Sequence, residues 1–266
     1  MCKKKINKNI FNLIILVLIT NSLKVYSQFG LSHEVGVIAG PVFFQSDYGQ
    51  RHNFETNISN SGIGVGIVHY LGFYYDPECN CQKPFSFFSD HFKVRTELSY
   101  NKTNLRHFGE WVDSEKQSVG VQQLRAMRGV TTNVNLGLLL EYYPLSLRDF
   151  DGDVGAFAPY ASVGAQYVWT NPEATSTLGR LGDPAITFPK YLNAFSNQSE
   201  SIWSIVASIG TRYKIGEQHD LNLDLRWQYY TSDWVDGLNP SSKIYTENIA
   251  NDWLFWLNVG YIYYIY

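Results

Sequence analysis

The last sixteen residues, 251–266, constrain the fold of this chain more than any other segment. Every second residue from Trp253 to Ile265 is apolar or aromatic, without a break. A period of two over this length predicts a β-strand rather than a helix. Soluble strands usually run to about 3–10 residues, whereas a tilted membrane strand of about 9–11 residues with its flanks accounts for this length.

The N-terminus predicts export. Residues 1–9 carry four lysines, an apolar run broken only by Asn12 follows over residues 10–19, and small or polar residues lead to Ser27. This is the organisation of a secretory signal peptide. We expect residues 1–27 to be removed after Ser27. A transmembrane anchor is the weaker alternative, since a spanning helix needs about 20 apolar residues.

Seven further segments alternate like the last one. The predicted strands are residues 32–45, 61–75, 91–102, 128–143, 157–170, 202–214, 219–231 and 251–266. No other long apolar run exists, so membrane crossing would use strands, and in lipid only a closed barrel satisfies the backbone groups of strands. The sequence therefore predicts an all-β fold, a transmembrane antiparallel up-and-down β-barrel of eight strands, formed by residues 28–266 as one domain.

The connections alternate in length, as in outer-membrane barrels. With both ends of the mature chain in the periplasm, the outer loops are residues 46–60, 107–124, 171–201 and 232–250. The periplasmic turns are residues 76–90, 144–156 and 215–218, of which the first is long for its side. Pro41 predicts a bulge or an irregular end in the first strand, because proline cannot donate to a ladder.

Composition agrees with a membrane barrel. Aromatic residues make up 16% of the chain, and membrane barrels place such residues in girdles at both interfaces. The net charge of −3 gives no indication of a nucleic-acid partner. A soluble β-sandwich or lipocalin-like barrel is the alternative fold. It would need the apolar face inside, whereas several strands here carry charges on the opposite face.

Those charges face the predicted lumen. An eight-stranded barrel is just wide enough for side chains to fill, and buried charges are tolerated when they are paired. Four acids and four bases therefore predict a plugged lumen with an ion-pair network, and a narrow ion path is the functional alternative. The predicted lumen charges are Glu34, Lys93, Arg95, Glu97, Glu141, Arg212, Asp224 and Arg226.

No motif indicates a cofactor, a metal or a catalytic centre. The glycines of residues 62–66 lie within a strand and lack the spacing of a dinucleotide loop. Residues 149–153 are similar to a calcium loop but misplace its glycine and lack its glutamate, so a turn is expected. Cys79 and Cys81 are too close for an unstrained disulfide, which leaves pairing with a partner or free thiols.

An enzyme would place its chemistry in an outer loop. Ser46, Asp47 and His52 fall in the first one, where a membrane protease, acyltransferase or lipid hydrolase would need them. Nothing in the sequence holds a base against a nucleophile, and a serine, an aspartate and a histidine are expected by chance in a polar loop. We therefore predict that the protein is not an enzyme.

The final strand resembles the C-terminal strand of bacterial outer-membrane proteins, which their insertion machinery recognises. Asn258, Gly260 and Tyr263 match the pattern of a polar residue, a glycine and an aromatic residue. The sequence departs from the pattern at its end, because Ile265 stands where the last aromatic residue is expected and Tyr266 lies one residue beyond. The resemblance implies contact with the insertion machinery through these five residues.

Residues 32–40 follow closely behind the signal peptide and resemble the first strand of small outer-membrane barrels from Bacteroidota. The related families are the PorG-like barrels, associated with the type IX secretion apparatus, and the broader OmpA/OmpX-like eight-stranded class. The resemblance implies an accessory outer-membrane component and carries over no catalytic residue.

Three functions follow from these predictions. The first is a non-enzymatic outer-membrane barrel, structural or accessory to an envelope complex and secretion-related by resemblance, which acts through its loops. The second is a small porin-like channel or ligand transporter, and the third is a loop-based hydrolase or acyltransferase. The expected partners are outer-membrane lipid, the insertion machinery and envelope proteins, with no cofactor and no nucleic acid.

Overall fold

Eight antiparallel strands close into a barrel in the computed structural model, which describes residues 31–50, 53–73, 86–245 and 250–265. Each strand pairs with its neighbours in the chain, and the last pairs with the first. The strands are β1 (Ser32–Gln45), β2 (Ser61–Gly72), β3 (Phe92–Arg106), β4 (Met127–Tyr142), β5 (Phe157–Ser176), β6 (Glu200–Gly216), β7 (His219–Tyr230) and β8 (Trp253–Ile265). The predicted fold is confirmed.

Several predictions fall on parts of the chain that the structure does not describe. They concern the signal peptide of residues 1–27, His52, Cys79, Cys81 and Tyr266. The barrel has two distinct ends. We call the end with the connections 46–60, 107–126, 177–199 and 231–252 the loop end, and the end with the other three connections the turn end.

The strand prediction was wrong mainly at the loop end. The predicted fifth strand ends at Thr170, but β5 continues to Ser176 and stays paired with the start of β4. Its alternation persists above the apolar segment, with Pro172 and Ala174 turned inward. Because β6 pairs only as far as Glu200, Pro172 lies beyond the β5–β6 ladder, where no strand needs its missing N–H and a strand tolerates proline.

Pro41 does not produce the predicted bulge. β1 pairs with β2 without interruption through this residue. On its other side, the ladder to β8 lacks the pairs of Gly40 and Pro41 but resumes in the same register at Val42. A Cβ at Gly40 would lie 2.0 Å from the Leu257 carbonyl oxygen, so only glycine permits this close approach of the two strands.

Short helices interrupt connections that were predicted as plain loops and turns. They are α1 (Phe54–Ser59), α2 (Phe87–His91), α3 (Val119–Ala126) and α4 (Leu147–Gly152), with 3₁₀ turns at Glu110–Val112 and Pro189–Tyr191. The acidic residues 149–153, predicted as a turn, lie mostly in α4, where the Ser146 hydroxyl accepts a hydrogen bond from the Asp149 N–H. None of the described helices is long and apolar enough to cross a membrane.

The barrel is apolar outside and polar inside. On the outer wall, Leu138, Val163 and Ile205 each expose more than half of their surface, at 57–58%. Along each of these strands, the residues that alternate with the exposed ones turn inward and are mostly buried. A soluble barrel has the opposite polarity, because water outside would have to hydrate this apolar wall. The exposed wall is therefore the lipid-facing surface of a transmembrane barrel.

Aromatic side chains border the apolar wall at both ends. Near the loop end, the ring of Tyr167 lies 5.3 Å from that of Trp203. Near the turn end, Phe157 and Tyr213 lie 4.7 Å apart. Phe157 and Tyr167 are ten residues apart on β5, which at ~3.4 Å per residue and a tilt of about 40° spans roughly 26 Å along the barrel axis. This height suits the apolar band of a membrane barrel, about 25 Å.

Candidate functional site

The predicted lumen charges all lie inside the barrel. None of the eight exposes more than 2% of its surface, and they come from five different strands. Strand alternation alone places them there, because every second residue of these strands points inward. The sequence therefore located these residues, and the structure adds which of them are partners.

Glu97 joins two arginines at the centre of the barrel. The Arg226 guanidinium donates to both of its oxygens, at 2.6 and 2.8 Å. Arg95 donates to it at 2.6 Å, and the Gln166 amide donates at 3.2 Å. Paired N–H donors from one guanidinium match the two oxygens of a carboxylate and give a strong, directional contact.

A second group of charges lies nearer the turn end. Glu34 accepts hydrogen bonds from Lys93 and from Arg212, the latter at 2.5 Å. Glu141 accepts from the Tyr143 hydroxyl at 2.6 Å and lies 3.6 Å from Arg212. Arg95, 3.5 Å from Glu141, joins this group to the one around Glu97. Asp224 lies 3.6 Å from Arg95 and 3.7 Å from Arg226, so the eight charges form one continuous network.

Sequence reasoning missed three members of the network. Lys214 and Asp220 are buried, lie 3.8 Å apart and add one charge of each sign. Both continue the inward faces of β6 and β7, so alternation was a sufficient signal for them. Asp151, 3.5 Å from Lys214, comes from α4, and no strand pattern could have indicated it.

Apolar side chains close the lumen at both ends of the network. Towards the loop end, Phe44, Tyr230, Leu254 and Trp256 are buried in one cluster. At the turn end, a second cluster is completed by α4, and its members are Tyr143, Leu147, Phe150, Ala158 and Tyr160. Because the network side chains between these clusters are almost inaccessible to solvent, the described residues leave no passage past them that is wide enough for water.

Glycines on the inner face make room for the larger side chains. A Cβ at Gly64 would lie 2.7 Å from the Trp256 ring, and one at Gly129 would lie 2.7 Å from the Tyr48 ring. Contacts this short force neighbouring groups to move. The glycines of β2, which the sequence marks as unsuited to a dinucleotide site, are therefore packing positions.

The residues of the predicted insertion signal lie on both faces of β8. Asn258 points inward, and its amide donates to Asp224 at 3.0 Å. Gly260 packs against Ile38, while Tyr263 and Ile265 are exposed on the outer wall. Their role in recognition by the insertion machinery stays a prediction.

All four connections of the loop end line one cleft of about 670 Å³. This volume is typical of small-ligand sites, about 300–1,000 Å³. The lining is aromatic with a few polar groups. It includes Asp47, Gln50, His107, Trp111, Phe188, Lys190, Tyr191 and Tyr245. No sequence pattern indicates this site, since its residues come from loops without periodicity and meet only in the folded structure.

His107 forms part of the wall between the cleft and the interior. Its ring lies between those of Tyr48, at a centroid distance of 4.9 Å, and Tyr191, at 5.4 Å, and is tilted by 32° to each. Its Nε2 atom is enclosed and has no hydrogen-bond partner among the described residues. Burial, and then the nearby cations of Lys190 and Arg128, lower the pKa of His107 to about 3. The imidazole is therefore neutral at pH 7.

Buried carboxylates tie the loops together below the cleft. The Asp236 side chain accepts hydrogen bonds from the backbone N–H groups of Asp47, at 2.9 Å, and Leu238, at 2.7 Å. Its own N–H donates to Asp252 at 3.1 Å. Burial, and then the charge of Asp47, raise the pKa of Asp236. These bonds fasten the connection between β7 and β8 to the one between β1 and β2.

The polar residues that an enzyme would need in the first loop have structural contacts. Ser46 is 1% exposed, and its hydroxyl accepts a hydrogen bond from the Tyr48 N–H at 3.1 Å. The backbone carbonyl of Asp47 accepts a hydrogen bond from the Tyr191 hydroxyl at 3.1 Å. His52 lies outside the described residues. Both Ser46 and Asp47 also line the cleft, and the contacts described above join them to a backbone N–H and a tyrosine hydroxyl.

No protein-family model and no curated protein matches this chain. Among solved structures, Neisserial surface protein A has a TM-score of 0.44 and 12% identity, covering 88% of this chain and 98% of that one. A major outer membrane protein from Thermus thermophilus has a TM-score of 0.43 and 17% identity, covering 88% of this chain and 99% of that one. The outer membrane protein OprG from Pseudomonas aeruginosa has a TM-score of 0.42 and 13% identity, covering 87% of this chain and 96% of that one. No residue role follows from these similarities.

Replacing Glu97 should destabilise the barrel strongly. Glu97→Gln leaves the buried guanidinium groups of Arg95 and Arg226 without their shared carboxylate, a change that costs about 3–5 kcal/mol. Urea unfolding in lipid vesicles, followed by gel mobility, measures the loss. The control is Glu110→Gln, which breaks an exposed pair with Lys116 at 3.4 Å and should change the free energy of unfolding by less than about 1 kcal/mol. Equal effects would contradict a stabilising network.

Acid should loosen the loop end through His107. Its pKa in the folded protein, about 3, lies below the ordinary value of 6.5, so its contribution to stability is present above pH 6.5 and is lost as the pH falls towards 3. Hydrogen exchange of loop peptides, corrected for the intrinsic pH dependence, should show lower protection at pH 4 than at pH 7. In His107→Phe, which keeps a ring between Tyr48 and Tyr191, most of this difference should vanish.

Proposed function

We propose that this protein is a non-enzymatic β-barrel of a bacterial outer membrane that acts through its loops, as a structural or accessory component of an envelope complex. One observation carries the proposal. The barrel has an apolar outer wall and a charged interior sealed at both ends. The wall requires lipid, and the sealed interior leaves the two ends as the surfaces that can meet other molecules.

The orientation follows from the connections. Both described chain ends, at β1 and β8, lie at the turn end. In outer-membrane barrels the short turns face the periplasm and the longer loops face outward. We therefore place the loop end, with its cleft, on the outer surface. The predicted signal peptide would supply export across the inner membrane.

The interior does not favour the channel alternative. Conduction needs a continuous passage lined by polar groups in contact with water. Here Arg95, Glu97 and Arg226 are fully or almost fully buried in mutual contacts. Opening a path would break several of these pairs at once, and each unpaired buried charge is costly.

The loop end is built to present a fixed shape. Besides the carboxylate contacts, the Gln123 amide donates to the Pro184 carbonyl at 3.0 Å. The N–H of Asn239 donates to the Ala194 carbonyl at 2.9 Å. Bonds between different connections hold the cleft open while leaving Trp111 67% exposed. Such a surface is suited to contact with a partner or ligand.

A narrower role follows only from resemblance. The similarity of residues 32–40 to barrels of Bacteroidota implies a secretion-related component, and we keep this as the more specific form of the proposal. It predicts that the protein purifies with parts of a secretion apparatus after gentle detergent extraction. A particle no larger than the barrel and its detergent belt would contradict it.

The sealed barrel should shift in mobility on heating and should not conduct. In outer-membrane fractions, unboiled protein should migrate apart from boiled protein, because a closed barrel resists detergent until heated. The purified protein in planar bilayers should give no conductance above background. Absence of the shift with recovery in the soluble fraction would overturn the barrel assignment. Steady single-channel steps would overturn the sealed interior.

A photo-crosslinking residue at Trp111 should capture the partner in intact cells. Trp111 lines the cleft and is the most exposed aromatic residue there, so a crosslinked species of defined mass is expected. The matched control places the same residue at Val163, which faces lipid on β5 and should yield no such species. A protein crosslinked equally at both positions, or at neither, would count against action through the loops.

A further inference from the structure

Two arginines face each other on the outer wall near the loop end. Arg106 of β3 and Arg128 of β4 are directly paired across the ladder. Both point away from the lumen, since the neighbouring Leu105 and Met127 are the buried, inward residues. Side chains directly opposite in an antiparallel pair start about 4.5–5.5 Å apart at Cβ. The two guanidinium groups therefore share one patch of surface.

No carboxylate in the described part of the chain neutralises this pair. Among the described residues, neither Arg106 nor Arg128 lies within 4.0 Å of an acidic oxygen, in contrast to the arginines of the lumen. Glu173, on the adjacent strand, is opposite Val130 rather than Arg128 and forms no ion pair with it. Like charges directly opposite each other destabilise a sheet, so the pair is better accommodated with an anion bound.

The local structure holds one of these groups in place. Nη1 of Arg128 donates to the carbonyls of Arg125, at 2.5 Å, and Met127, at 2.7 Å. The backbone N–H of Arg106 donates to the Asn60 side chain at 2.8 Å. The Arg128 guanidinium is thus fixed through one nitrogen, and its other N–H groups stay directed away from these carbonyls. A fixed guanidinium binds an anion with less loss of side-chain freedom.

The pair lies in a groove of about 490 Å³ that also has hydrogen-bonding and apolar walls. Ser59, Ser61 and Asn104 supply hydroxyl and amide groups, while Phe108 and Val130 supply apolar surface. This mixture fits an oxygen-rich anion attached to a larger group. Guanidinium groups match phosphate oxygens in geometry as well as charge.

The height of the groove indicates what carries the phosphate. Tyr100 is opposite Val134, which is opposite Trp169, two residues above Tyr167 of the aromatic border. Because a line of paired residues rises by roughly 3 Å per strand when the strands tilt by about 40°, Tyr100 lies about level with Tyr167. Lys102 and Arg106 lie two and six residues beyond Tyr100 on the same outward face. At ~3.4 Å per residue and a tilt of about 40°, they stand roughly 5 and 16 Å above the border. The level of Arg106 therefore lies beyond the head group of a simple phospholipid, because the head-group region adds only about 5–8 Å to each side of the hydrocarbon core.

We propose that Arg106 and Arg128 bind the phosphate of an outer-leaflet glycolipid whose sugar head group rises beside the barrel. Lys102 contacts a second anionic group lower on the same molecule. A lipid is favoured over a soluble anion because both arginines lie on the outward face of the barrel wall, the side on which lipid head groups stand. Of the residues that line the site, it shares Phe108 alone with the loop cleft, and it does not require a partner there.

Lipid binding by the full-length barrel in nanodiscs of zwitterionic phosphatidylcholine tests this proposal. The probes are lipopolysaccharide with a phosphorylated core, the same preparation after treatment with alkaline phosphatase, and inorganic phosphate as a competitor. Native mass spectrometry with titration gives the apparent Kd. We expect saturable binding of the phosphorylated form, at least ten-fold tighter than that of the treated form, and weak competition by millimolar inorganic phosphate.

The arginine pair should account for this difference. Arg106→Gln with Arg128→Gln should weaken binding of the phosphorylated form at least ten-fold. Arg106→Lys, which keeps the charge without the planar group, should weaken it less. The matched control is Arg180→Gln, which removes an exposed cation of the loop end outside the groove and should leave the Kd within two-fold. Heat-dependent gel mobility confirms that each variant is a folded barrel.

Three outcomes would overturn the proposal. Equal binding of the phosphorylated and treated forms would show that phosphate is not recognised. Equal losses in the arginine pair and in Arg180→Gln would show a general charge effect. Full competition by inorganic phosphate at micromolar concentration would show a site for the free anion. All three leave the mobility shift and the absence of conductance unaffected, so they are separable from failure of the proposed function.

Discussion

The structure depends on one constraint, which is that strand backbone groups in lipid have no water to bind. Every N–H and C=O at membrane depth needs a partner within the protein, and an open sheet would leave two edges without one. The pairing of β8 with β1 removes both edges. Closure with eight strands then limits the lumen to a width that side chains fill.

A filled lumen in a membrane barrel is an interior without access to solvent, yet this one is rich in charge. The free-energy cost of burying these charges is offset because each charge contacts several partners. Glu97 serves two arginines, Arg95 reaches two further carboxylates, and Arg212 lies over the Tyr70 ring at 4.0 Å. Such an interior is stable only while the pairs stay complete, which favours a rigid body. Rigidity of the wall in turn allows the loops to be fastened to one another above it.

Much of this arrangement was predictable from the sequence, because alternation is a local property. It placed β1 at its observed bounds and turned Arg95, Arg226 and the other predicted charges inward. Register is not local, so the partners of Glu97 could not be named. Alternation also failed where polar residues continue a strand above the membrane, as at the end of β5. His107 and Lys190 belong to the cleft through contacts between loops, for which a single sequence carries no periodic signal.

The seam between β1 and β8 has a consequence for how the barrel assembles. Seven of the eight strand pairings join neighbours in the chain and can form as hairpins. The eighth joins the two ends of the domain and carries the largest loss of chain entropy on closure. It is also the pairing in which two rungs are missing, at Gly40 and Pro41. Closure of this seam is therefore the slow, non-local step of folding, and the strand that completes it is the last one synthesised.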